Sequence, residues 1–397
     1  MGKFSRKEGI KTKTMRIKGL RLWRVALPLR ERWRTGASEE TEIESVVVGL
    51  QTDTGVGWGE TAPHRAPLYS PEWARGVFHL LAEELGPRLL GADLATGEEL
   101  QECLRPYKGN RFAKAGLDLA LWDALARADG QPVWRRIGGR PDPVAVGADL
   151  GVVDSERELL AAVERFVEEG FERVKLKVRP GWGAGPVRAV RRAFPELVLH
   201  ADGNSSFTLR DMRLFRELDE LGLAMIEQPL QHDDLLGHAR LQQILQTPIC
   251  LDESINGPER ARHALELGAC RWVNIKVARV GGLTPALEVH RLCREAGVPM
   301  WMGSMLESAL GQAPSLAMAT LPGMDYPSDL FPSSRFLAAE LAEPELALSA
   351  PSRMLPPEGP GFGFLPRPGP LLAYGRETVA LGEVDAFAAW SPESLQP

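Results

Sequence analysis

The sequence predicts an α/β protein whose core is a barrel of parallel strands, each followed by a helix. Short apolar runs alternate with longer amphipathic stretches between residues 144 and 305. The runs are rich in Val, Ile and Leu, which is typical of parallel strands buried on both faces. The repeated strand–helix units favour a closed barrel, with an open parallel sheet as the alternative. The runs are residues 144–151, 173–178, 197–204, 225–230, 249–254, 272–278 and 299–305.

The stretches between the runs have the periodicity of helices. After the first run, apolar residues recur on one helical face before Gly170, a typical helix end. Upstream of the runs, residues 112–128 repeat apolar side chains with helical spacing, and Asn110 is their predicted N-cap. Residues 351–370 are rich in Pro and Gly, which indicates an irregular segment.

Composition and charge exclude several classes of protein. The chain has 397 residues, a net charge of −6 and 44% hydrophobic residues, and this length predicts a large domain plus a smaller one. The modest charge argues against a nucleic-acid or membrane partner, and no apolar run reaches the roughly 18 residues of a membrane span. The four cysteines are far apart, which fits a reducing cytoplasm. A homo-oligomer is expected on general grounds.

Charged residues recur at the ends of consecutive apolar runs. Five of them are separated by 25, 25, 25 and 24 residues, in the order Lys177, Asp202, Glu227, Asp252 and Lys276. In a parallel barrel the C-terminal ends of all strands meet at one mouth, where side chains from different strands converge. We therefore expect these five side chains to share one site.

The three carboxylates of this series predict a metal site. Carboxylates on adjacent strands would repel one another unless a cation neutralises them. Oxygen ligands without a nearby His or Cys favour a hard ion, so Mg²⁺ is the predicted metal, with Mn²⁺ as a substitute. Asp202, Glu227 and Asp252 are the predicted ligands, and His200 is predicted to be a core residue instead.

The two lysines predict proton transfer. Lys177 and Lys276 belong to the second and sixth strands, so they would face each other across the mouth. A substrate carboxylate held between them by a metal would present its α-carbon to an amine on either side. The base must be a neutral amine, and the like charge of Lys175, together with the metal cation, is expected to lower the pKa of Lys177.

Motifs at these positions resemble the muconate-lactonizing subgroup of the enolase superfamily. They are K-x-K at 175–177, D-G-N at 202–204, EQPL at 227–230, DES at 252–254 and NIKVARVGG at 274–282. Within the subgroup the chain is most similar to the branch of o-succinylbenzoate synthases and N-acylamino acid racemases. The likeness covers nearly the whole chain and includes the segments 67–72, 108–123 and 357–363.

The resemblance implies a modified TIM barrel, (β/α)₇β, under an α+β capping domain that the C-terminal tail completes. It implies the same metal ligands and acid–base lysines. The implied activities are the o-succinylbenzoate synthase dehydration and N-succinylamino acid racemisation of a small carboxylate substrate. Arg279, three residues after Lys276, favours the racemase. The predicted segments are 1–14 (an extension), 15–140 (cap), 141–335 (barrel) and 336–397 (C-terminal segment).

Several further residues are predicted to contact the substrate. Segment 28–41 is predicted to be a mobile lid, with a surface hairpin as the alternative. The chain departs from the family pattern in this segment, at residues 303–305 and after Pro322, where substrate selectivity would be set. The predicted contacts are Asn204, Arg279, Ser304, Glu307, Thr35 and Tyr69.

Other functions fit part of the pattern. Muconate cycloisomerase, or another enzyme of the same subgroup, would use the same machinery. A Schiff-base aldolase would use Lys276 as its nucleophile but would leave the three carboxylates without a purpose. A barrel that only binds a ligand would have no need of two opposed lysines.

Overall fold

The computed structural model describes residues 14–35 and 38–390. Its N-terminal part contains the strands β1 (Met15–Arg34), β2 (Glu39–Thr52), β3 (Val56–Thr61) and β4 (Asp93–Leu94), which the C-terminal strand β16 (Gly375–Gly382) joins. The sheet order is β16-β1-β2-β3, with β4 paired to β1. The C-terminal tail therefore completes the cap, as predicted. Apart from residue 14, the predicted extension lies outside the described residues.

Helix α4 covers one face of this sheet at close range. Gly57 and Gly59 of β3 permit the approach, because a Cβ at Gly57 would lie 2.0 Å from the carbonyl oxygen of Ala120. The cap helices are α1 (Ala74–Leu80), continued by a π-helical turn (Leu81–Leu85) and α2 (Gly86–Leu89), then α3 (Gly97–Leu104), α4 (Arg111–Ala128) and α5 (Val133–Arg136).

The predicted cap of α4 is wrong. Asn110 has a left-handed backbone, with φ of 52°, and its side chain makes no capping hydrogen bond. The carboxylate of Glu72 takes this place and accepts the backbone N–H groups of Phe112 and Ala113, at 3.1 and 3.3 Å. A carboxylate suits this position because the first N–H groups of a helix have no partner within it.

The barrel follows the predicted runs. Strands β6 to β12 form a parallel sheet in sequence order, and each lies within one of the seven apolar runs. Ser328 and Asp329 close the circle: Gly147 N–H donates to the Ser328 carbonyl (2.9 Å), and Asp329 N–H donates to the Met302 carbonyl (2.8 Å). The barrel strands are β6 (Ala148–Leu150), β7 (Arg173–Lys177), β8 (Val198–Asp202), β9 (Ile226–Glu227), β10 (Ile249–Leu251), β11 (Trp272–Ile275) and β12 (Met300–Met302). The short strand β5 (Val144–Ala145) lies in the first apolar run but pairs antiparallel with residues 353–354.

Helices lie between the barrel strands, and short elements form the C-terminal segment. Among the described residues, no helix is long and apolar enough to cross a membrane. The elements are α6 (Glu156–Glu168), α7 (Gly185–Ala193), α8 (Met212–Asp219), α9 (Leu235–Ile244), α10 (Pro258–Glu266), α11 (Val277–Val280), α12 (Leu283–Ala296), α13 (Ala309–Ala319), β13 (Ala342–Glu343), β14 (Arg353–Met354), β15 (Leu365–Pro366) and α14 (Pro368–Ala373).

Strand register arranges the barrel interior in layers. Successive side chains of a strand point to opposite faces, so every second residue enters the barrel. The register aligns Asp149 with Lys175 and His200 in one row, and Lys177 with Asp202 and Glu227 in the next. Trp301 and Tyr326 pack beside His200, with ring centroids 5.4 and 5.8 Å from the imidazole. The charged side chains at the barrel mouth therefore lie next to a layer of aromatic rings inside the barrel.

Candidate active site

The five residues predicted from their spacing come together at the barrel mouth. All are buried, with exposed fractions between 0 and 8%. Each lysine amine lies against a carboxylate of the set: Lys177 Nζ is 2.6 Å from Asp202 Oδ2, and Lys276 Nζ is 3.0 Å from Asp252 Oδ2. The two lysines therefore approach the carboxylates from different strands, β7 and the end of β11.

On the side of the barrel mouth formed by the second barrel strand, β7, the charged side chains form a dense network. Lys175 Nζ lies 3.1 Å from Asp149, 3.6 Å from Glu227 and 3.8 Å from Asp202, and it also pairs with Asp329. Asp329 pairs in turn with the fully buried Arg173, 2.7 Å away. The carboxylates outnumber the cations here, and they raise the pKa of Lys175 although burial lowers it.

The pKa of Lys177 differs from the expectation. Burial lowers it, but Asp149 and Asp202 outweigh burial, so the pKa of Lys177 is raised. Lys175 does act in the predicted direction, since its like charge lowers the pKa of Lys177. Asp149 was not predicted to belong to the site and Asp202 was predicted only as a metal ligand, so the effect of these two acids on the pKa of Lys177 was not expected.

The opposite side of the mouth, at the end of the sixth barrel strand, β11, includes a residue of the cap. Tyr69 donates its hydroxyl to Asp252 (3.2 Å) and accepts hydrogen bonds from Lys276 (2.9 Å) and Arg279 (2.8 Å). Arg279 also pairs with Asp252. Burial raises the pKa of Asp252, but Arg279 and Lys276 prevail and hold it well below its usual range. Arg279 and Tyr69, predicted as substrate contacts, thus both contact a predicted metal ligand.

The chemistry of the donors fits a hard divalent cation. Burial raises the pKa of both Asp202 and Glu227, and each is raised further by a neighbouring carboxylate. Several buried oxygens in this region make no hydrogen bond among the described residues, and they include Asn204 Oδ1, Glu253 Oε2 and Asp149 Oδ1. Glu227 Oε2 also makes none, although Lys175 Nζ lies 3.6 Å from it. Within the described part of the chain no three Asp, Glu, His or Cys side chains form a ready-made metal cage; the lysine amines lie among the carboxylates instead.

A cavity of about 320 Å³ opens above these residues. Four of the predicted substrate contacts line it, and they are Thr35, Tyr69, Asn204 and Ser304. The predicted lid is a hairpin of the ends of β1 and β2, whose Trp33 and Glu40 also line the cavity. Residues 36 and 37 of that segment lie outside the described residues, and its mobility stays a prediction.

Glu307 is buried and is not among the residues that line the cavity. Its carboxylate accepts the Met305 N–H at 2.7 Å, and burial raises its pKa to about 7. Beside it, Glu60 of the cap strand β3 accepts N–H groups of Ser308 (3.4 Å) and Gly311 (3.0 Å) at the start of α13. Direct contact of Glu307 or Arg279 with a substrate stays a prediction, since neither is among the residues that line the cavity.

Sequence reasoning missed four residues of the site. Asp149 lies within the first apolar run, Glu253 within the D-E-S motif, and Asp329 in the stretch noted only for departing from the family pattern. His64 of the cap lines the cavity, and its Nε2 is 3.2 Å from the Met305 carbonyl oxygen. His200 is buried as predicted, but its Nε2 lies 3.2 Å from Glu227 Oε2.

The fold and this site define the class of protein. The N-terminal domain of the mandelate racemase and muconate lactonizing enzyme family matches residues 21–138, and the enolase C-terminal domain-like family matches residues 158–368. The chain belongs to this family of the enolase superfamily, whose enzymes generally bind a divalent metal. The resemblance drawn from the motifs is thereby confirmed.

Relatives within the family show which kinds of enzyme this chain is similar to. An N-succinylamino acid racemase of Thermus thermophilus is 46% identical over 88% of this chain and 94% of its own length. An o-succinylbenzoate synthase of Geobacillus kaustophilus is 43% identical over 81% of this chain and 86% of its own. The structure of an enolase superfamily member from Listeria innocua matches with a TM-score of 0.89 and 34% identity, covering 93% of this chain and 99% of that one. The protein is an enzyme, as predicted.

Proposed function

We propose that the protein removes the proton α to a substrate carboxylate in a metal-dependent reaction, as an o-succinylbenzoate synthase, an N-succinylamino acid racemase, or both. The observation that carries the proposal is the pair of buried lysines that approach one carboxylate cluster from the second and sixth strands. The relatives at 46% and 43% identity bear these two names, which supports the same choice of substrates.

The carboxylates of Asp202, Glu227 and Asp252 are the proposed ligands of Mg²⁺, or of Mn²⁺ as a substitute. Their all-oxygen donor set and their burial side by side at the barrel mouth support this assignment. When bound, the ion would supply positive charge that neutralises the carboxylates and stabilises negative charge on the substrate carboxylate. Asn204, whose amide lies 3.2 Å from Asp202, would orient that ligand.

The lysines are the proposed acid–base residues. In dehydration Lys177 takes the α-proton, Lys276 remains cationic and stabilises the enediolate, and the proton and the departing hydroxyl group leave as water. In racemisation one lysine takes the proton from one face, and the other returns a proton to the opposite face. Both amines are largely buried and line the cavity, so a bound substrate would separate them from bulk water.

The site also bears on the aldolase alternative. Asp252 and the Tyr69 hydroxyl raise the pKa of Lys276, although burial lowers it. A Schiff-base nucleophile must be a neutral amine, so this surrounding supports the cationic role of Lys276 in dehydration, whereas its role as a base in racemisation requires a neutral amine as an aldolase does. Treatment with borohydride and a carbonyl substrate would leave an acid–base Lys276 unmodified, and trapping at Lys276 would revive the aldolase.

Proton exchange in D₂O, followed by NMR with Mg²⁺ present, tests the proposal. N-succinylphenylalanine and N-succinylmethionine report racemisation, and the cyclohexadiene precursor of o-succinylbenzoate reports dehydration in parallel. Exchange with racemisation supports the two-lysine scheme, and dehydration alone makes the protein a dedicated synthase. Metal binding without either activity would overturn the proposed substrates and leave the α-proton chemistry to be tested on other carboxylates.

The remaining expectations join this proposal. The four cysteines, Cys103, Cys250, Cys270 and Cys293, are free thiols, which supports a reducing cytoplasm. The partner is a small carboxylate. A homo-oligomer remains the expected assembly, and the mass of the protein in solution tests it.

A further inference from the structure

Asp149 is a buried acid at the mouth that the proposed function does not use. It lies on β6 directly opposite Lys175 of β7. Its side chain is 9% exposed, and it lines the cavity. An acid in this position costs free energy unless it serves a cation or a ligand.

The two oxygens of Asp149 have different surroundings. Oδ2 lies between the second-strand amines, 3.1 Å from Lys175 Nζ and 3.7 Å from Lys177 Nζ. Oδ1 is buried and has no hydrogen-bond partner among the described residues. The carboxylate therefore retains unused acceptor capacity at Oδ1.

The two lysines beside Asp149 differ in what else holds them. Lys175 has a second close acid in Asp329, which lies away from the cavity lining. For Lys177 the described acids within 4 Å are Asp149 and Asp202. Since Asp202 is a proposed metal ligand, its oxygens would be shared with the ion. Asp149 is then the acid that remains to hold the Lys177 amine.

We infer that Asp149 is a positioning residue that holds the Lys177 amine toward the substrate α-carbon and thereby serves proton transfer on one face only. The inference rests on the proposed function. At 3.7 Å, Asp149 Oδ2 attracts the charged Lys177 amine but is too distant for a hydrogen bond. When the amine approaches, the carboxylate can accept a hydrogen bond from it in either charge state. Lys276 has its own partners, Tyr69 and Asp252, and stands outside the reach of Asp149.

Exchange of the α-proton with D₂O separates the two faces. The enantiomers of N-succinylphenylalanine have equal free energies, so slower transfer at either lysine slows racemisation equally in both directions. Solvent exchange without inversion, measured from each pure enantiomer, reports one lysine at a time. In Asp149→Ala with Mg²⁺, we expect exchange of one enantiomer to fall by about tenfold or more, because misplaced reacting groups cost rate steeply. The other enantiomer should change less than about twofold, and the KM of both should stay within the same range.

Matched variants sharpen this test. Asp149→Asn keeps an acceptor oxygen and should recover part of the lost exchange. Asp142→Asn removes an exposed acid just before the same run and should leave both enantiomers unchanged. Equal losses for both enantiomers in Asp149→Ala, or no loss in either, would overturn the inference.

A second measurement remains informative if the wild-type enzyme exchanges neither enantiomer, which would be the failure of the proposed function. In a crystal structure of Asp149→Ala with Mg²⁺, the Lys177 amine should leave the position it holds in the Mg²⁺-bound wild-type crystal. An amine in the same place in both crystals would overturn the positioning role, whatever reaction the site performs.

Discussion

The two lysines of the mouth are held in different ways. Lys177 and its neighbour Lys175 sit among acids contributed entirely by the barrel, from β6, β8, β9 and the closing segment. Lys276 sits between Asp252 and the hydroxyl of Tyr69, which belongs to the cap. One side of the reaction therefore depends on the barrel alone, and the other depends on how the cap docks. Changes in the cap should affect the two halves of the chemistry unequally.

The largest expected effect comes from removing one lysine. Lys276→Ala should abolish racemisation and dehydration. Both rates should fall by about a thousandfold or more, because a positioned acid–base group contributes 10²–10⁴-fold. Polarimetry of N-succinylphenylalanine and absorbance of the aromatic product provide the measurements. Racemisation that persists in this variant would break the two-base scheme.

The next effect concerns the proposed metal ligands, which lie between the two lysines. Glu227→Gln should weaken Mg²⁺ binding by about tenfold or more, because it removes an anionic oxygen from the proposed ligand set. Isothermal titration calorimetry measures the affinity, and Glu220→Gln, at an exposed position, is the control. An unchanged Mg²⁺ affinity would remove Glu227 from the set of ligands.

Tyr69→Phe sharpens the comparison, since it removes only the cap hydroxyl that contacts Lys276, Asp252 and Arg279. The kcat should fall by roughly tenfold, and stability should fall by about 1 kcal/mol for the lost hydrogen bonds. Tyr326→Phe removes another buried hydroxyl, which lies 2.8 Å from His200. It should cost similar stability with a smaller loss of kcat. Equal losses of kcat in the two variants would contradict a special role for the cap hydroxyl.

The last expected effect leaves the reaction unchanged and is a pH dependence of stability on the cap-facing side. The pKa of Glu307 is about 7 in the folded protein and about 4.3 in an unfolded chain. The folded state therefore binds more protons between these values, and this group's contribution makes stability fall as pH rises from about 4 to about 7. Glu307→Gln should remove that contribution.

Urea unfolding at pH 5 and pH 8 measures the effect of Glu307. Relative to wild type, Glu307→Gln should gain on the order of 2 kcal/mol between the lower and the higher pH. Glu345→Gln, at an exposed position, should follow the wild type at both. A Glu307→Gln curve parallel to that of the wild type would mean that the Glu307 carboxyl does not carry a raised pKa.

Much of the fold was predictable because buried parallel strands produce a simple repeated pattern in the sequence. Each barrel strand is buried on both faces and ends at the same mouth, so apolar runs and their terminal charges repeat at a nearly constant spacing. The segment that closes the barrel does not show this pattern, because it joins the barrel through Ser328 and Asp329 within a Pro-rich stretch. Asp329 was therefore not assigned a role.

The less predictable parts of the site depend on contacts distant in sequence. The cap of α4 comes from Glu72, about 40 residues before the backbone groups it binds, and no local rule points to it. The raised pKa of Lys177 depends on Asp149, 28 residues earlier, whose position opposite Lys175 becomes visible only in the strand register. Local spacing identified which side chains meet, but the balance of their charges required the structure.

The pairing of β16 with β1 has a consequence for synthesis on the ribosome. Trp23 of β1 lies opposite Thr378 of β16, so the strand that completes the cap emerges 355 residues after the strand it covers. At 5–20 residues per second, β1 waits roughly 20 to 70 seconds with one edge open. An open strand edge invites pairing with other chains. Within this chain the cap begins before the barrel strands are made and is completed after them, and the nascent chain is exposed to misassembly during that interval.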